Sequence, residues 1–396
     1  MRVMTRTVSS MSDEDKPPVV LLGGAENAVA CARRFVGDGI TTVVVQAEGA
    51  PALRSRGVVR RPLGPKLEAA DVTDWLSGAG LEWSGAVVVP LSDQALLGLV
   101  EDHPAVVEHY RPAVLTPSVV SAMLDKQRTL ELAAEAGVDA PRQWLVPPGG
   151  PESLIDGLDF PVILKPRRNF ELLALTGCKY LRVDDPSEIS RHLATMEALP
   201  SGYVVNEFIP GGDELLTSYN AVRTVDGRTL VEFTKRVDRR YPPNEGGATF
   251  HELVDLPATA EAGRRFFDHV GVIGMGNVEF KTDPRTGRLK LIECNHRLTA
   301  ATRVAQDNGI DLAGTVYLQA LGREAPAATP RWGATLWYPV RDLRSCLRSG
   351  DGVRTWWSRP KRSGFPYWSA SDPGPSLALW SRTARAYARR LRLRGR

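Results

Sequence analysis

The chain has 396 residues, of which 43% are hydrophobic, and its 50 Lys and Arg against 46 Asp and Glu give a net charge of +4. This length predicts two or three domains that can bury enough apolar surface to fold without crosslinks. Four scattered cysteines without a CxxC pair argue against a disulfide framework or zinc site, and the absence of a long apolar segment argues against secretion and membrane spanning, so a cytoplasmic protein is expected.

The polar residues 1–16 are expected to be disordered, and an open parallel sheet is predicted after them. Apolar runs at 19–22 and 41–45 flank a helical stretch, and a further strand at 86–90 leads into another helix. Gly23-Gly24 lies in the first strand-to-helix turn. Because the full GxGxxG spacing is absent, we interpret the pair as a structural turn and assign no nucleotide site here.

The following segments predict an α+β arrangement with antiparallel strands. Asp125 is a good N-cap for a helix, and the strand PVILKP at 161–166 follows a Pro/Gly-rich connector at 147–151. After a helix near 186–199 and a strand at 203–208, two strands flank an Asp226-Gly227 turn, which is a strong hairpin signal.

A second hairpin, at 276–297, carries the strongest concentration of polar side chains. Strict alternation places every second side chain of a strand on the same face. On the first strand these are Asn277, Glu279 and Lys281, and on the second strand they are Leu291, Glu293, Asn295 and Arg297. Glu279 and Glu293 would then stand on adjacent strands. Carboxylate and amide oxygens are the ligands that Mg²⁺ prefers, so the hairpin predicts a metal site.

The alternative is a solvent-facing hairpin whose glutamates pair with Lys281 and Lys290. The residues between the polar positions, Val278, Phe280 and Ile292, are apolar and predict that the opposite face is buried. That pattern favours the metal site.

This hairpin resembles the metal-binding hairpin of the ATP-grasp superfamily, in which an acidic residue on one strand is followed by Glu-x-Asn-x-Arg on the next. The resemblance covers about residues 17–321 and implies a mixed α/β and α+β fold. It divides the chain into an N-terminal open parallel-sheet domain (17–120), a middle α+β subdomain (121–207), a C-terminal antiparallel-sheet subdomain with the metal site (208–325), and a basic Trp/Arg-rich extension (326–396). The implied cofactors are ATP and Mg²⁺, with Mn²⁺ as an alternative.

The resemblance also implies roles for single residues. Lys126 and Lys165 would reach the nucleotide phosphates, although a lone strand lysine more often snorkels to solvent. The segment 167–181 departs from the family's glycine-rich loop, because Gly177 is its sole glycine, and Lys179 is one candidate to replace that loop. The remaining roles are adenine binding by Glu207, Phe208 and Ile209, ribose binding by Glu214, and metal binding by Glu279, Glu293 and Asn295.

The basic segment 230–252 is similar to a subgroup of carboxylate–amine ligases that includes the D-aspartate ligases. The implied function is an ATP-dependent ligase that activates a small-molecule or peptide carboxylate as an acyl phosphate and joins it to an amine. Lys235 would offset phosphate charge, and Arg297 would hold the carboxylate and the later oxyanion. The alternatives are a non-amine acceptor and, for 230–252, an ordinary surface loop.

The C-terminal end is strongly basic, with seven arginines from Arg382 to Arg396. Trp380, Ala384, Tyr387 and Leu391 have helical spacing, which predicts a basic amphipathic helix. Such a helix can lie at the inner face of a membrane as a peripheral contact, or it can dock by its aromatic face onto the catalytic body, which we prefer. Nucleic-acid binding through the arginines is a third, weaker hypothesis, and a homodimer is compatible with the sequence.

Overall fold

The structure, a computed structural model, describes residues 7–8, 11–12, 15–113, 116–146, 157–358 and 363–394, with the backbone alone at 169–170 and 386–394. The predicted connector at 147–151 and the side chains of Tyr387 and Leu391 lie outside the described residues. Among the described residues there is no helix long and apolar enough to cross a membrane.

The N-terminal domain is a parallel five-stranded sheet in the order β3-β2-β1-β4-β5. Its strands are β1 (Val19–Leu22), β2 (Thr42–Gln46), β3 (Val59–Pro62), β4 (Val87–Pro90) and β5 (Arg111–Pro112). Its helices are α1 (Glu26–Gly37), α2 (Ala69–Ser77), α3 (Asp93–Glu101), α4 (His103–His109) and α5 (Pro117–Leu124). Strands β1, β2 and β4 are fully buried, as expected for apolar runs covered on both faces.

The Gly23-Gly24 turn is a tight structural connection between β1 and α1. Both residues have positive φ angles, 70° and 89°, which favour glycine. A side chain at Gly23 would collide with Ser92 Oγ at 2.3 Å, and one at Gly24 would collide with Leu91. The glycines are therefore explained by close packing against the end of β4.

Part of the N-terminal segment departs from the expected disorder. Val8 and Met11 are 1% and 5% exposed and belong to the apolar core that also contains α1. Burial of two apolar side chains offsets the entropy lost on ordering this segment.

The middle subdomain is a four-stranded antiparallel sheet in the order β6-β9-β7-β8. Its strands are β6 (Gln143–Leu145), β7 (Val162–Pro166), β8 (Leu181–Val183) and β9 (Tyr203–Glu207), and its helices are α6 (Lys126–Glu135), α7 (Asn169–Thr176) and α8 (Ile189–Glu197). Asp125 caps α6 as predicted, because its carboxylate accepts from the N–H of Gln127 at 2.9 Å. The segment after β7 forms helix α7, which ends at Gly177 with a φ of 77°.

The C-terminal subdomain is built on a six-stranded sheet in the order β14-β13-β10-β11-β12-β15. Its strands are β10 (Leu216–Arg223), β11 (Thr229–Tyr241), β12 (Gly247–Leu253), β13 (Gly274–Thr282), β14 (Leu289–Asn295) and β15 (Thr335–Trp337). The helices are α9 (Pro257–Val270), α10 (Ala301–Gln306), α11 (Leu312–Ala320), α12 (Pro339–Ser349), α13 (Gly352–Trp357) and α14 (Gly374–Arg394). One face of the sheet packs on α6 and α9, and the other carries the polar residues described below.

The C-terminal extension is integrated into this sheet. Strand β15 pairs with β12, and the buried Asp342 of α12 accepts from Thr249 Oγ1 at 2.7 Å and Trp337 Nε1 at 3.1 Å. The final helix α14 lies against 51–54, but Leu377 and Trp380 remain 64% and 61% exposed.

Candidate active site

Four lysines line the cleft between the four-stranded and six-stranded sheets, and three of them carry predicted phosphate-binding roles. The fourth, Lys281, donates to the carbonyl oxygens of Ile209 and Gly211 at 3.0 and 2.8 Å. Lys165 lies on β7, Lys126 is the first residue of α6, and Lys179 follows α7. The Lys126 N–H donates to the Arg167 carbonyl oxygen at 3.1 Å, and this bond holds the start of α6 against the end of β7. The structure therefore brings together the three lysines that the sequence assigned to phosphate binding, around a cleft of about 80 Å³.

The surroundings of Lys126 and Lys165 lower the pKa of both side chains. Burial, together with the neighbouring charge of Lys165, lowers the pKa of Lys126 to about 7. Burial lowers the pKa of Lys165 to about 8, although the Glu293 carboxylate favours its charged form. Because the charged forms of Lys126 and Lys165 are disfavoured by burial in the cleft, a bound polyanion would stabilise both ammonium groups.

Glu279 and Glu293 lie directly opposite each other on β13 and β14. Burial by itself raises the pKa of Glu293, but the ammonium groups of Lys179 and Lys126 outweigh this effect and hold the pKa below its usual value. Glu293 thus lines the lysine cleft as a carboxylate. Because like charges directly opposite on adjacent strands destabilise a sheet, a cation between the two glutamates would be stabilising.

The alternation predicted along β14 is wrong at Leu291 and Ile292. The pairing shifts between Glu279 and Phe280, so Phe280 lies opposite Leu291 and Ile292 forms a bulge. Leu291 is fully buried with Phe280 and does not share a face with Glu293. Ile292 lines the cleft and does not belong to the buried face. One inserted residue moves every side chain beyond it to the other face.

A row of amide side chains continues from the carboxylate pair along the same sheet face. Asn295 lies opposite Asn277, and its Nδ2 donates to Asn277 Oδ1 at 3.2 Å. Asn277 Nδ2 donates in turn to Asn220 Oδ1 at 3.0 Å. The Asn295 oxygen accepts from Arg297 Nη2 at 3.0 Å, which leaves its second lone pair for another partner. Asn220 was missed in the sequence, although it lies within a predicted strand.

Arg297 is held by the N-terminal domain. Its Nε donates to Asp93 Oδ1 at 2.6 Å, and Asp93 begins α3 directly after β4. The guanidinium is therefore engaged through its Nε and one Nη2 donor, and binding of a substrate carboxylate by its other N–H groups stays a prediction. Sequence reasoning missed Asp93, although it follows a parallel strand where the strand order reverses, between β1 and β4.

Lys235 lies on the same sheet face but is deeply buried. Its side chain is 5% exposed, and its Nζ is 3.2 Å from His251 Nδ1. Burial lowers the pKa of Lys235, and the charge of Glu279 partly opposes this. Burial also lowers the pKa of His251 well below its usual value, so the neutral ring accepts from the Lys235 ammonium. This geometry associates Lys235 with the carboxylate pair.

The segment after β9 passes along the cleft, and its residues are already engaged. Glu207 is 6% exposed and accepts from Lys290 Nζ at 2.8 Å and from the Arg142 N–H at 3.1 Å. Burial raises the pKa of Glu207, but these donors outweigh it and lower the pKa overall. Glu207, Phe208 and Ile209 all line the cleft. The Glu207 carboxylate already accepts from protein donors, and adenine binding by the three residues stays a prediction.

Asp213 faces the cleft at the position where the sequence assigned Glu214. Asp213 lines the cleft and accepts from the N–H groups of Arg240 at 2.9 Å and Asn244 at 3.1 Å. Glu214 is exposed, and its carboxylate folds back over Gly212. The structure does not bring Glu214 into the cleft. Asp213 was overlooked because two acids are adjacent in the sequence and their faces depend on a short helical turn at 213–215.

The carboxylate pair fits Mg²⁺ by the chemistry of its donors. Glu279 and Glu293 offer two opposed carboxylates and Asn295 an amide oxygen on the same two strands. Across the described ranges, no group of three or more His, Cys, Asp or Glu side chains could hold a metal ion. Mg²⁺ usually takes one or two carboxylates and completes its octahedron with waters and substrate phosphates, so this donor set suits an ion that arrives with a nucleotide.

The hairpin of β13 and β14 lies within a segment that matches a family model. Residues 257–327 match the model for the carbamoyl-phosphate synthase L chain, ATP binding domain. No curated protein matches the chain.

Solved structures match most of the chain. Biotin carboxylase from Campylobacter jejuni is 16% identical with a TM-score of 0.63 and covers 82% of this chain and 75% of its own. The biotin carboxylase domain of Hydrogenobacter thermophilus 2-oxoglutarate carboxylase, a dimer in complex with MgADP, ADP and bicarbonate, is 18% identical with a TM-score of 0.61 and coverages of 80% and 73%. N5-carboxyaminoimidazole ribonucleotide synthetase from Thermus thermophilus is 16% identical with a TM-score of 0.58 and coverages of 80% and 82%. At such identities the similarity shows a shared fold.

Proposed function

We propose that this chain, which has the ATP-grasp fold that its sequence resemblance implied, is an ATP-dependent ligase. It activates a carboxylate as an acyl phosphate and couples the acyl group to an amine. The observation that carries the proposal is one cleft in which Lys126, Lys165 and Lys179 meet Glu293, with Glu279 directly opposite Glu293 on the next strand. Ammonium groups bind phosphate oxygens and paired carboxylates bind Mg²⁺, so these two groups of side chains support a magnesium triphosphate site.

The first step requires little covalent chemistry from the protein. An oxygen of the substrate carboxylate attacks the γ-phosphorus of ATP, the bond from that phosphorus to the β,γ-bridging oxygen breaks, and ADP leaves with the electron pair. Lys126, Lys165 and Lys179 stabilise the negative charge on the phosphate oxygens. Glu279, Glu293 and Asn295 would hold Mg²⁺, or Mn²⁺ in its place, which would supply further charge neutralisation.

In the second step the amine nitrogen attacks the acyl carbon, phosphate leaves with the electron pair of the carbon–oxygen bond, and the nitrogen loses a proton to water. The cleft limits the access of water, which matters because hydrolysis competes with the amine.

Two residues predicted to be catalytic take positioning roles in this proposal. Arg297 orients the Asn295 oxygen and ties β14 to the N-terminal domain through Asp93. Lys235 offsets charge at Glu279 and fixes His251. Neither side chain has to touch the substrate.

The proposal is tested by phosphate release from ATP and Mg²⁺ across panels of acids and amines. Amino acids and dipeptides enter both panels because of the ligase-like segment 230–252, and bicarbonate joins the acids because it is bound in the Hydrogenobacter thermophilus structure. We expect release of ADP and phosphate when one acid and one amine are present together. Release of AMP and pyrophosphate, or full activity with no amine, would refute the proposal.

Glu293→Gln is the informative variant, because it removes one carboxylate charge without changing the shape of the side chain. We expect at least a roughly 100-fold slower reaction. Glu252→Gln on β12 is the matched control, since Glu252 pairs with Arg236 at 2.8 Å away from the cleft and its change is expected to leave the rate unaltered.

A further inference from the structure

A second, larger groove lies in the C-terminal extension. It has a volume of about 610 Å³, within the range of small-molecule sites, and lies between the start of α12, the segment 365–368 and one face of α14. Its position is distinct from the lysine cleft, because the two share no lining residue.

The walls of the groove are aromatic ring faces. Tyr338 and Tyr367 are 5% and 9% exposed, and their hydroxyls donate to the two carboxylate oxygens of Glu26 at 2.7 and 2.8 Å. Because both hydroxyls already donate to Glu26, the two rings offer mainly apolar surface to the groove. Trp380 on α14, which is 61% exposed, forms part of the opposite side.

The charged side chains that line the groove are all cationic. Arg341 stacks on Tyr338, with its guanidinium carbon 4.7 Å from the ring centroid, and Arg344 lies one helical turn further along α12. None of the described lining residues is acidic. Neither arginine forms an ion pair within the described parts of the chain, whereas nearby Arg239 pairs with Asp342 and Asp351.

We propose that this groove binds a small amphipathic organic acid, with its apolar body between the aromatic walls and its carboxylate on Arg341. The planar guanidinium offers paired donors that match a carboxylate. An ammonium compound would be repelled by the two arginines. A concave site of this volume suits a small molecule better than a flat membrane surface.

The test is direct binding without ATP, so its outcome does not depend on the ligase reaction. Calorimetry or saturation-transfer NMR of the full chain with 3-phenylpropanoate is compared with 3-phenylpropanamide, which keeps the shape and lacks the charge. We expect the acid to bind at least about tenfold more tightly. Equal binding of acid and amide, or no binding of either, overturns the proposal.

Arg341→Met is expected to weaken binding of the acid by about tenfold, and Arg331→Met is the matched control, since Arg331 is an exposed arginine that does not line the groove.

Thr383→Trp fills the groove from a half-buried position on α14 and is expected to abolish binding while the thermal midpoint is retained. Wild-type affinity in either groove variant contradicts the proposal. The proposal would also be overturned if the wild-type chain failed to bind the acid but floated with phosphatidylglycerol vesicles. Loss of that flotation in Arg341→Met would assign the groove to a membrane surface.

Discussion

Glu207 shows how one carboxylate can join the two sheets that enclose the cleft. It ends β9 of the middle sheet, yet it accepts from Lys290 on β14 of the other sheet. Glu207 and Lys290 are 7% and 13% exposed in their side chains, so water screens this pair weakly.

Glu207→Gln is therefore expected to lower the free energy of unfolding by about 2 kcal/mol, because Lys290 would lose one of its two carboxylate partners and keep only Asp283 at 3.2 Å. Urea denaturation measures this loss. The control is Glu261→Gln, which breaks an exposed pair with Arg265 at 2.8 Å and is expected to cost less than about 0.5 kcal/mol. Equal, small losses in both variants would show that Glu207 does not join the sheets.

Lys126 connects nucleotide binding to pH. Its pKa of about 7 in the free protein means that most molecules lack this charge at pH 8. A bound triphosphate favours the charged form and raises the pKa again, so binding takes up a proton above pH 7 and nucleotide affinity falls as the pH rises. At pH 8 we expect uptake of about one proton by Lys126 and roughly half a proton by Lys165, whose pKa is about 8, measured by calorimetry of ATP binding in buffers of different ionisation enthalpy.

Lys126→Met is expected to remove most of this proton uptake. The lysine assignment would be wrong if ATP bound to the wild-type protein without proton uptake at pH 8.

At the scale of elements, the bulge in β14 exchanges the roles of two neighbouring residues. Leu291 is fully buried, whereas Ile292 is half-buried at the cleft. Leu291→Ala is expected to cost about 2–4 kcal/mol of unfolding free energy, and Ile292→Ala less than about 1.5 kcal/mol. Urea denaturation of the two variants measures the difference. A larger loss for Ile292→Ala than for Leu291→Ala would support regular alternation along β14 and contradict the bulge.

The same strand shows how far the sequence alone could predict the site. Period-2 alternation predicts the hairpin and places Glu279 and Glu293 on adjacent strands. In the structure β13 and β14 form this hairpin, and the two glutamates lie opposite each other. The bulge does not follow, because an inserted residue leaves the apolar and polar composition unchanged. Helix α7 was also not expected, since the resemblance implied a loop there and the strong helix formers of 169–176 were not weighed against it.

Contacts between distant segments were beyond sequence reasoning altogether. Arg297 and Asp93 are separated by 204 positions, and Tyr338 and Glu26 by 312. No local pattern encodes such pairs, because they depend on how whole domains pack. The partners of Arg297 and Glu207 were therefore found only in the structure, and the roles predicted for the two side chains stay predictions.

At the scale of the whole molecule, the extension is part of the folded C-terminal subdomain. Strand β15 covers the edge of β12, and Asp342 is 0% exposed beneath it. A chain that ends at Ala325 would expose this strand edge and leave Arg239 without its buried partner. We expect that chain to aggregate or unfold, whereas a chain that ends at Pro373 and lacks α14 keeps its fold.

Size-exclusion chromatography and circular dichroism of both truncations measure the effect. A stable monomer ending at Ala325 would show that the extension is a separate appendage. The peripheral membrane contact through α14 stays a prediction, and liposome flotation of the full chain against one ending at Pro375 tests it, with equal flotation as the contradicting result.

The central claim is that one cleft transfers the γ-phosphoryl group of ATP to a carboxylate. The most direct measurement uses ¹⁸O in both carboxylate oxygens of whichever acid supports phosphate release, followed by phosphorus NMR of the phosphate formed. An acyl phosphate intermediate predicts one ¹⁸O atom in each phosphate released by the wild-type protein. Unlabelled phosphate formed at the same rate would contradict the claim, because the carboxylate oxygen would then never have been bonded to phosphorus.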